Sequence, residues 1–551
     1  MTVDNKLVRE FHHTLLWPVT LRPLKQVSGV DAVHYWDVLQ RKPGAWRFAK
    51  DTLLIEDESG SDGYEEFVHF LPYVQRFLYG VGDEGRGAKS SLYAFTRDDI
   101  ASVDIELSQG DAAIKLDVLR ARLYFFYDID IAIAVLEVAG KNIALADAVE
   151  IMDRFGRPYA PGWESNNQAA HCPYRVAFRD HAGVLLSQSD YADRDKFVDL
   201  VRGERQTPLS MHWEYFLSPL VPTYLSGGTI KYSQIENKRT PTMSFLSFDD
   251  PTQLTRGDMV RIGFAAKWGP SDTLPYSNRY LQDFEFANCY DRYWDPDVDS
   301  RSMRTRYFFC GAAFAMITNS GQQEQLSGQF RRKFYQIGLI ANFNKGALLS
   351  LSNRFSRAVE RLNVRDYESV KQFKKHVRET LEVFLRFNHR YWFHEISNQV
   401  QASDFFRLWS HQLGSGALYN EVREEARDIN EYLDADRARK QTDNTMRLTV
   451  VSACGMVGTV VTGFLGMNIY AMSDYTATEK TLVFIAVFIP TALLSLYTVI
   501  LSRRIAHFME ALASEGLSWG EKIVTLRQIF SITPRERVRA RRETQGLSGP
   551  E

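Results

Sequence analysis

The chain has 551 residues, of which 45% are hydrophobic and 24% charged, with a formal net charge of -2. This balance is typical of a globular protein with room for more than one domain, and it excludes a nucleic-acid-binding protein driven by bulk charge. The four cysteines show no C-x-x-C spacing, which excludes a zinc knuckle and a disulfide framework and indicates free thiols.

The amino-terminal part of the chain, residues 1–330, is predicted to be an enlarged α/β domain. Residues 102–107 (SVDIEL) alternate with strand periodicity, and residues 119–139 are rich in aromatic and β-branched side chains. The start of the chain lacks the continuous apolar segment of a signal peptide. Any membrane insertion is therefore expected to use internal segments.

Residues 331–447 are predicted to be helical and to end in a long stalk helix. No proline occurs between residue 330 and Pro490, and Val377, Leu381 and Phe384 recur at helical spacing on one face. Residues 419–444 are highly charged and contain neither glycine nor proline. This segment is expected to be a solvated helix that continues without a break to Leu448.

Two apolar runs follow, and both have the length of a membrane-spanning helix. Residues 448–467 and 482–501 carry no charged side chain, and about 20 residues suffice to cross a bilayer. We therefore favour two spans over a buried hairpin. The first span is placed at 448–468 and the second at 482–501. Between them lies an outer loop at 469–481, and a basic tail follows at 502–551.

The flanking charges predict the orientation. The residues Arg437, Arg439, Lys440 and Arg447 precede the first run and Arg503 and Arg504 follow the second, whereas the connecting loop has Lys480 as its single basic residue. By the positive-inside rule, both termini are cytoplasmic. The expected location is the bacterial inner membrane, with the protein crossing it more than once.

The first span carries a stripe of small or polar residues three or four positions apart: Ser452, Gly455 or Met456, Thr459, Thr462 or Gly463, and Gly466. Such a stripe permits close packing of helices, or it lines a water-filled path. One hairpin cannot enclose a channel, so the second interpretation requires a homo-oligomer. Both interpretations can hold together.

Asn468 closes this stripe. An asparagine at a helix end is often a cap. In an oligomer its copies would instead form a ring of amide oxygens, which suits a hydrated Mg²⁺ ion because this ion loses its water reluctantly.

Gly466, Met467 and Asn468 resemble the Gly-Met-Asn signature of the CorA family of divalent-cation channels and transporters. The resemblance covers about residues 444–504 and implies a homopentameric funnel with an α/β cytoplasmic domain, stalk helices and two carboxy-terminal transmembrane helices. It places Asn468, Gly466 and Met467 in the outer selectivity ring. The implied pore-lining residues are Thr459 as an inner polar ring, Met456 and Leu448 as apolar constrictions, and Ser452 and Gly463.

The segment after the motif departs from the family. The usual acidic MPEL-like loop is absent, so attraction of cations to the mouth would depend on Asp474 and Glu479. Mg²⁺ is the expected cargo and a candidate regulator, while Zn²⁺, Co²⁺ and Ni²⁺ stay open. The regulatory sites are not located by sequence. No nucleophile, base and orienting group assemble, so the protein is not expected to be an enzyme.

A second hypothesis rests on the size of residues 1–330. The enlarged domain would bind a small nucleotide-type signalling molecule and open the pore, as in CorA-like effectors associated with CRISPR defence. The expected partners under the two hypotheses are other copies of the chain, the lipid bilayer and, in the second, this ligand. No nucleic-acid partner is expected.

Overall fold

The computed structural model describes residues 6–22, 34–41, 44–49, 61–80, 91–165, 168–236, 239–363, 366–466, 476–479, 481–482, 485–486, 488–490 and 493. The chain forms two compact units, Met1–Arg427 and Asp428–Glu551. The predicted domain boundaries at residues 330, 447, 468, 481 and 501 stay predictions.

The strands of the described residues all belong to the first unit. They are β1 (Leu7–Leu21), β2 (Trp46–Phe48), β3 (Leu92–Arg97), β4 (Ser102–Glu106), β5 (Ile114–Phe126), β6 (Ile131–Ala144), β7 (Arg175–Arg179), β8 (Leu185–Gln188), β9 (Val221–Pro222), β10 (Lys231–Gln234), β11 (Thr242–Phe248), β12 (Cys289–Tyr290), β13 (Arg306–Cys310) and β14 (Ala313–Asn319).

The helices include short early ones and long late ones. They are α1 (Tyr35–Arg41), α2 (Ser61–Val68), α3 (Pro72–Tyr79), α4 (Leu145–Arg154), α5 (Arg194–Glu204), α6 (Met211–Leu217), α7 (Arg256–Phe264), α8 (Asn278–Asn288), α9 (Gln323–Gln329), α10 (Tyr335–Glu360), α11 (Tyr367–Arg390), α12 (Val400–Gln412) and α13 (Ser415–Gly466). A π-helical turn, Phe330–Phe334, joins α9 to α10.

One sheet organises the first unit. Its main path has the order β12-β13-β14-β11-β1-β6-β5-β4-β7-β8, with β10 pairing β1 and β3 pairing β5. The pairing is antiparallel except between β11 and β14 and between β9 and β10. The predicted α/β character of this part of the chain is confirmed. The strand predicted at residues 102–107 is β4, and residues 119–139 contain parts of β5 and β6.

The two faces of the sheet are covered by different helices. Successive side chains of a strand point to opposite faces, so β1 contributes to both layers. On one face Trp17 meets Trp213 of α6, with ring centroids 5.7 Å apart. On the other face Phe126 of β5 meets Phe343 of α10, with ring centroids 4.1 Å apart. The core therefore has a helix–sheet–helix arrangement.

A buried ionic cluster ties the π-helical turn to the centre of the sheet. The Glu137 carboxylate on β6 lies 3.1 Å from Arg120 Nε on β5 and 2.8 Å from Arg331 Nε in the turn, and its side chain is 1% exposed. Arg120 also donates to the Arg331 carbonyl at 2.8 Å. His12 Nδ1 of β1 lies 3.7 Å from Glu137. Three strands and the start of the helical region thus share one carboxylate.

The long helices are packed tightly where they meet the sheet. A Cβ added to Gly338 of α10 would lie 2.5 Å from the Trp409 ring of α12 and 2.9 Å from the Met243 sulfur of β11. Only glycine permits this approach without movement of the neighbours. The helix predicted over residues 419–444 lies within α13, which has 52 residues and passes without interruption into the first apolar run.

Candidate functional site

The end of α13 carries most of the predicted pore-lining residues on one face. Leu448, Ser452, Met456, Thr459, Gly463 and Gly466 are all exposed in the single chain, including the large apolar Leu448 (67%) and Met456 (72%). Their spacing of three or four positions places them along one side of a helix. The exposed stripe is therefore available to neighbouring helices or to solvent.

The threonines of this segment bond to their own helix. Thr459 Oγ1 donates to the Gly455 carbonyl at 2.9 Å, and Thr462 Oγ1 donates to the Gly458 carbonyl at 2.9 Å. A hydroxyl has one proton and two lone pairs, so a donated proton leaves the oxygen as an acceptor. A hydrated cation presents water protons outward. The Thr459 oxygen is thus suited chemically to contact such an ion through its water.

Part of the predicted selectivity ring and outer loop lies outside the described residues. Met467, Asn468 and Asp474 belong to this part, and Gly466 is the last residue of α13. The second apolar run, 482–501, also lies for the most part outside them. Within the residues that the structure describes, no helix is both long enough and apolar enough to cross a membrane.

Glu479 in the predicted outer loop caps a helical turn. Its Oε2 accepts from both the backbone nitrogen and the hydroxyl of Thr476, each at 2.9 Å. These hydrogen bonds lower the pKa of the exposed Glu479 carboxyl below its usual value. The side chain therefore stays ionised as a cap, and its negative charge is fixed next to Thr476.

The face of α13 that precedes Leu448 is polar. A shallow hollow of about 420 Å³ is lined by Arg437, Lys440, Gln441, Asn444, Thr445 and Leu448. Arg437 pairs with Asp434 at 2.9 Å and Lys440 with Asp436 at 3.5 Å, both within the helix. The basic residues used to predict orientation are thus partly neutralised by their own helix, although the positive-inside rule counts basic residues and not net charge.

The acidic run near residue 297 forms a local turn. Asp295 accepts from the Asp297 backbone nitrogen at 3.1 Å, and the Asp295 carbonyl accepts from Arg304 at 2.7 Å. Among the described residues, no group of three or more His, Cys, Asp or Glu side chains is placed to hold a metal ion. Regulatory cation sites stay unassigned.

The first turns of α13 are held by the end of α11, a contact that sequence analysis did not identify. Tyr419 donates to Asn388 Oδ1 at 2.6 Å. The Tyr419 ring stacks on Trp392, with centroids 4.4 Å apart and planes inclined by 7°. Val422 is fully buried one turn further along α13. Two aromatic residues 27 positions apart give no spacing signal, so a pattern search does not find such a pair.

Comparison with known families assigns the helical region. Residues 362–504 match the family described as CorA-like Mg2+ transporter protein. This part of the chain is CorA-like. The match covers about a quarter of the chain and includes α11, α12, α13 and both apolar runs. No curated protein and no solved structure matches the chain.

The CorA-like match confirms the resemblance inferred from residues 444–504 and extends it upstream to residue 362. It therefore includes the contact between Trp392 and Tyr419. The roles assigned to Gly466, Met467 and Asn468 stay predictions.

Proposed function

We propose that the chain is the subunit of a CorA-like membrane channel that passes divalent metal cations, with Mg²⁺ as its principal cargo. The observation that carries this proposal is the family match over residues 362–504, which contains the stalk helix and both apolar runs. The cation would cross the inner membrane, with both termini of the chain in the cytoplasm. Zn²⁺, Co²⁺ and Ni²⁺ are the other cations to be compared.

The path would be formed by several copies of α13. One helix cannot enclose a channel, so the exposed Leu448 to Gly466 stripe must meet its copies, and five-fold symmetry is the arrangement we propose. The structural support is that this face carries acceptor oxygen atoms together with small residues. Among the described residues, no atom lies within 4 Å of a Cβ added to Gly455, Gly463 or Gly466, which is consistent with close approach of a neighbouring helix.

Each part of the stripe has a distinct role in this proposal. The Asn468 amide oxygens, with Gly466 and Met467, would select a hydrated cation at the outer mouth, and Thr459 would contact it through water deeper in the path. Leu448 and Met456 would form apolar constrictions that close by excluding water. Asp474 and Glu479 would attract cations from outside.

Uptake into liposomes tests this function. The purified full chain is reconstituted with a Mg²⁺ indicator inside, and an inside-negative potential is imposed. We expect Mg²⁺ uptake that rises with the potential, together with a particle mass that corresponds to five copies. An oligomer that supports no uptake of Mg²⁺, Zn²⁺, Co²⁺ or Ni²⁺ under either sign of the potential would contradict the proposal.

A further inference from the structure

A buried carboxylate in the turn between β5 and β6 holds the end of α11. The Asp128 side chain is 1% exposed and accepts from Arg390 Nη1 at 2.6 Å, from the Tyr391 hydroxyl at 2.7 Å and from Arg386 Nη1 at 3.2 Å. All three donors lie in the last turn of α11 or directly after it. Because a buried carboxylate without partners is costly, these bonds fix the helix end to the sheet.

The same end of α11 holds the beginning of α13. Asn388 accepts the Tyr419 hydroxyl, and Trp392 stacks on the Tyr419 ring. Arg423 of α13 also lies 5.9 Å from the centre of the Tyr419 ring. Residues 386, 390 and 391 donate to Asp128, and residues 388 and 392 contact Tyr419. The end of α11 therefore contacts both the β5–β6 turn and α13.

We infer that Asp128 is a positioning residue that sets the orientation of the first turns of α13 through residues 386–392. This inference rests on the proposed function for its consequence, because α13 continues as one helix to the predicted pore-lining stripe. A change in the sheet at the β5–β6 turn reaches α13 by the three hydrogen bonds to Asp128 and then by the hydrogen bond and the aromatic stack of Tyr419.

The β5–β6 turn holds a second carboxylate, that of Asp130, which also contacts helices. Asp130 accepts from the Tyr35 hydroxyl at 2.8 Å and lies 3.5 Å from Arg354 of α10. The β5–β6 turn therefore contacts α1, α10 and α11 within three residues. A shift of this turn would therefore act on all three helices.

Hydrogen exchange of the full chain tests the inference without reference to transport. Asp128→Asn removes the charge and keeps the shape. We expect faster amide exchange not only at residues 386–392 but also over residues 415–427 of α13. The matched control is Glu382→Gln, because Glu382 is an exposed partner of the same Arg386. The control is expected to leave exchange over residues 415–427 unchanged.

Cation uptake by the same samples provides the functional readout. Substitution of a residue that couples two sites typically changes the affected equilibrium or rate constant by about 2- to 30-fold. We expect Asp128→Asn to change the rate of Mg²⁺ uptake by a factor in this range and to leave the ratio of Mg²⁺ to Co²⁺ uptake unaltered, since the path itself is intact. Tyr391→Phe, which removes one of the three donors, is expected to give a smaller change in the same direction and serves if Asp128→Asn does not fold.

The outcomes separate the two proposals. Faster exchange confined to residues 386–392 in both Asp128→Asn and Tyr391→Phe, with unchanged uptake, would overturn the positioning role. If the wild-type chain takes up no cation, the proposed function fails. The exchange over residues 415–427 then still decides whether Asp128 orients α13.

Discussion

Trp392 and Tyr419 stack almost in parallel, with ring centroids 4.4 Å apart. Trp392 follows α11 and Tyr419 lies in the second turn of α13, so this contact joins a helix that packs on the sheet domain to the helix that carries the candidate pore-lining residues. The Tyr419 hydroxyl adds a hydrogen bond of 2.6 Å to Asn388. This one side chain thus supplies both an apolar and a polar contact.

Tyr419→Ala is expected to lower the free energy of unfolding by about 2–4 kcal/mol, because it removes an aromatic stack and a hydrogen bond as well as buried surface. Guanidinium unfolding of the purified chain, followed by tryptophan fluorescence, measures the change. Tyr432→Ala is the matched control, since Tyr432 lies on the same helix and is 48% exposed. Equal effects of the two substitutions would show that the stack contributes no stability.

Glu137 is expected to make stability depend on pH in the acid range. Burial raises its pKa, but the positive charges of Arg120, Arg331 and His12 outweigh burial and hold the pKa at about 2. The folded-state value is below the unfolded value of about 4.5. The stabilisation is therefore present above pH 4.5 and is lost as the pH falls toward 2.

Glu137→Gln removes the stabilisation that the Glu137 carboxylate provides, and it leaves Arg120 and Arg331 next to a neutral side chain. We expect a loss of about 3–5 kcal/mol in the free energy of unfolding at pH 7 and a flatter dependence below pH 4.5. Glu285→Gln breaks an exposed pair with Arg256 and is expected to cost less than about 1 kcal/mol. Parallel pH curves for the wild type and Glu137→Gln would contradict the assignment.

Two buried histidines are expected to destabilise the fold on mild acidification. Burial lowers the pKa of His13 and of His212 to about 3, so both are neutral in the folded chain and gain a proton on unfolding. Their stabilisation is complete above the unfolded pKa of 6.5 and is lost as the pH falls toward 3. Each contributes a slope of about 1.4 kcal/mol per pH unit between these limits.

Unfolding free energies at pH 7, 6 and 5 check this effect. His13→Asn and His212→Asn are each expected to show a shallower decline than the wild type. His12 provides a control of opposite sign. Burial lowers the pKa of His12, but the hydrogen bond with Glu10 and the negative charge of Glu137 outweigh burial and raise it, so His12→Asn is expected to steepen the decline. A steeper decline in all three variants would refute this account.

The local structure of several segments could be predicted from the sequence. Alternation at residues 102–107 and the β-branched content of residues 119–139 correctly indicated β4, β5 and β6. The absence of glycine and proline in residues 419–444 correctly indicated one continuous helix. These features depend on neighbours within the segment. The pairing of β1 with both β6 and β11 could not be predicted in this way, because the partner strands lie more than a hundred residues away along the chain.

The charged residues inside the sheet domain were the hardest to interpret from sequence. Arg120, Asp128 and Glu137 all lie in the segment 119–139, whose aromatic and β-branched residues indicate strands. Only the fold brings their partners from residues 331, 386 and 390. The stripe at Leu448 to Gly466 was visible from spacing alone. Its connection to Asp128 required the three-dimensional packing of α11.

Thr459→Val is expected to reduce cation uptake by a factor of about 2 to 10, because the valine keeps the shape and removes one hydrogen-bond acceptor from the path. Thr442→Val is the control. Thr442 makes the same bond to its own helix, with Oγ1 donating to the Ala438 carbonyl at 3.0 Å, and it lies before the first apolar run. Equal loss in both variants would place Thr459 off the path.

The most direct measurement compares divalent-cation uptake by liposomes that contain the wild-type chain, Asn468→Ala or Asn430→Ala. Asn430 is an asparagine of α13 that bonds to Asp434, well before the apolar run. If the Asn468 amides form the outer ring, Asn468→Ala lowers the rate of Mg²⁺ uptake at least about tenfold. It also makes the uptake rates of Mg²⁺ and Co²⁺ more similar. Asn430→Ala behaves as the wild type. Unchanged uptake of every divalent cation by Asn468→Ala would contradict the selectivity ring.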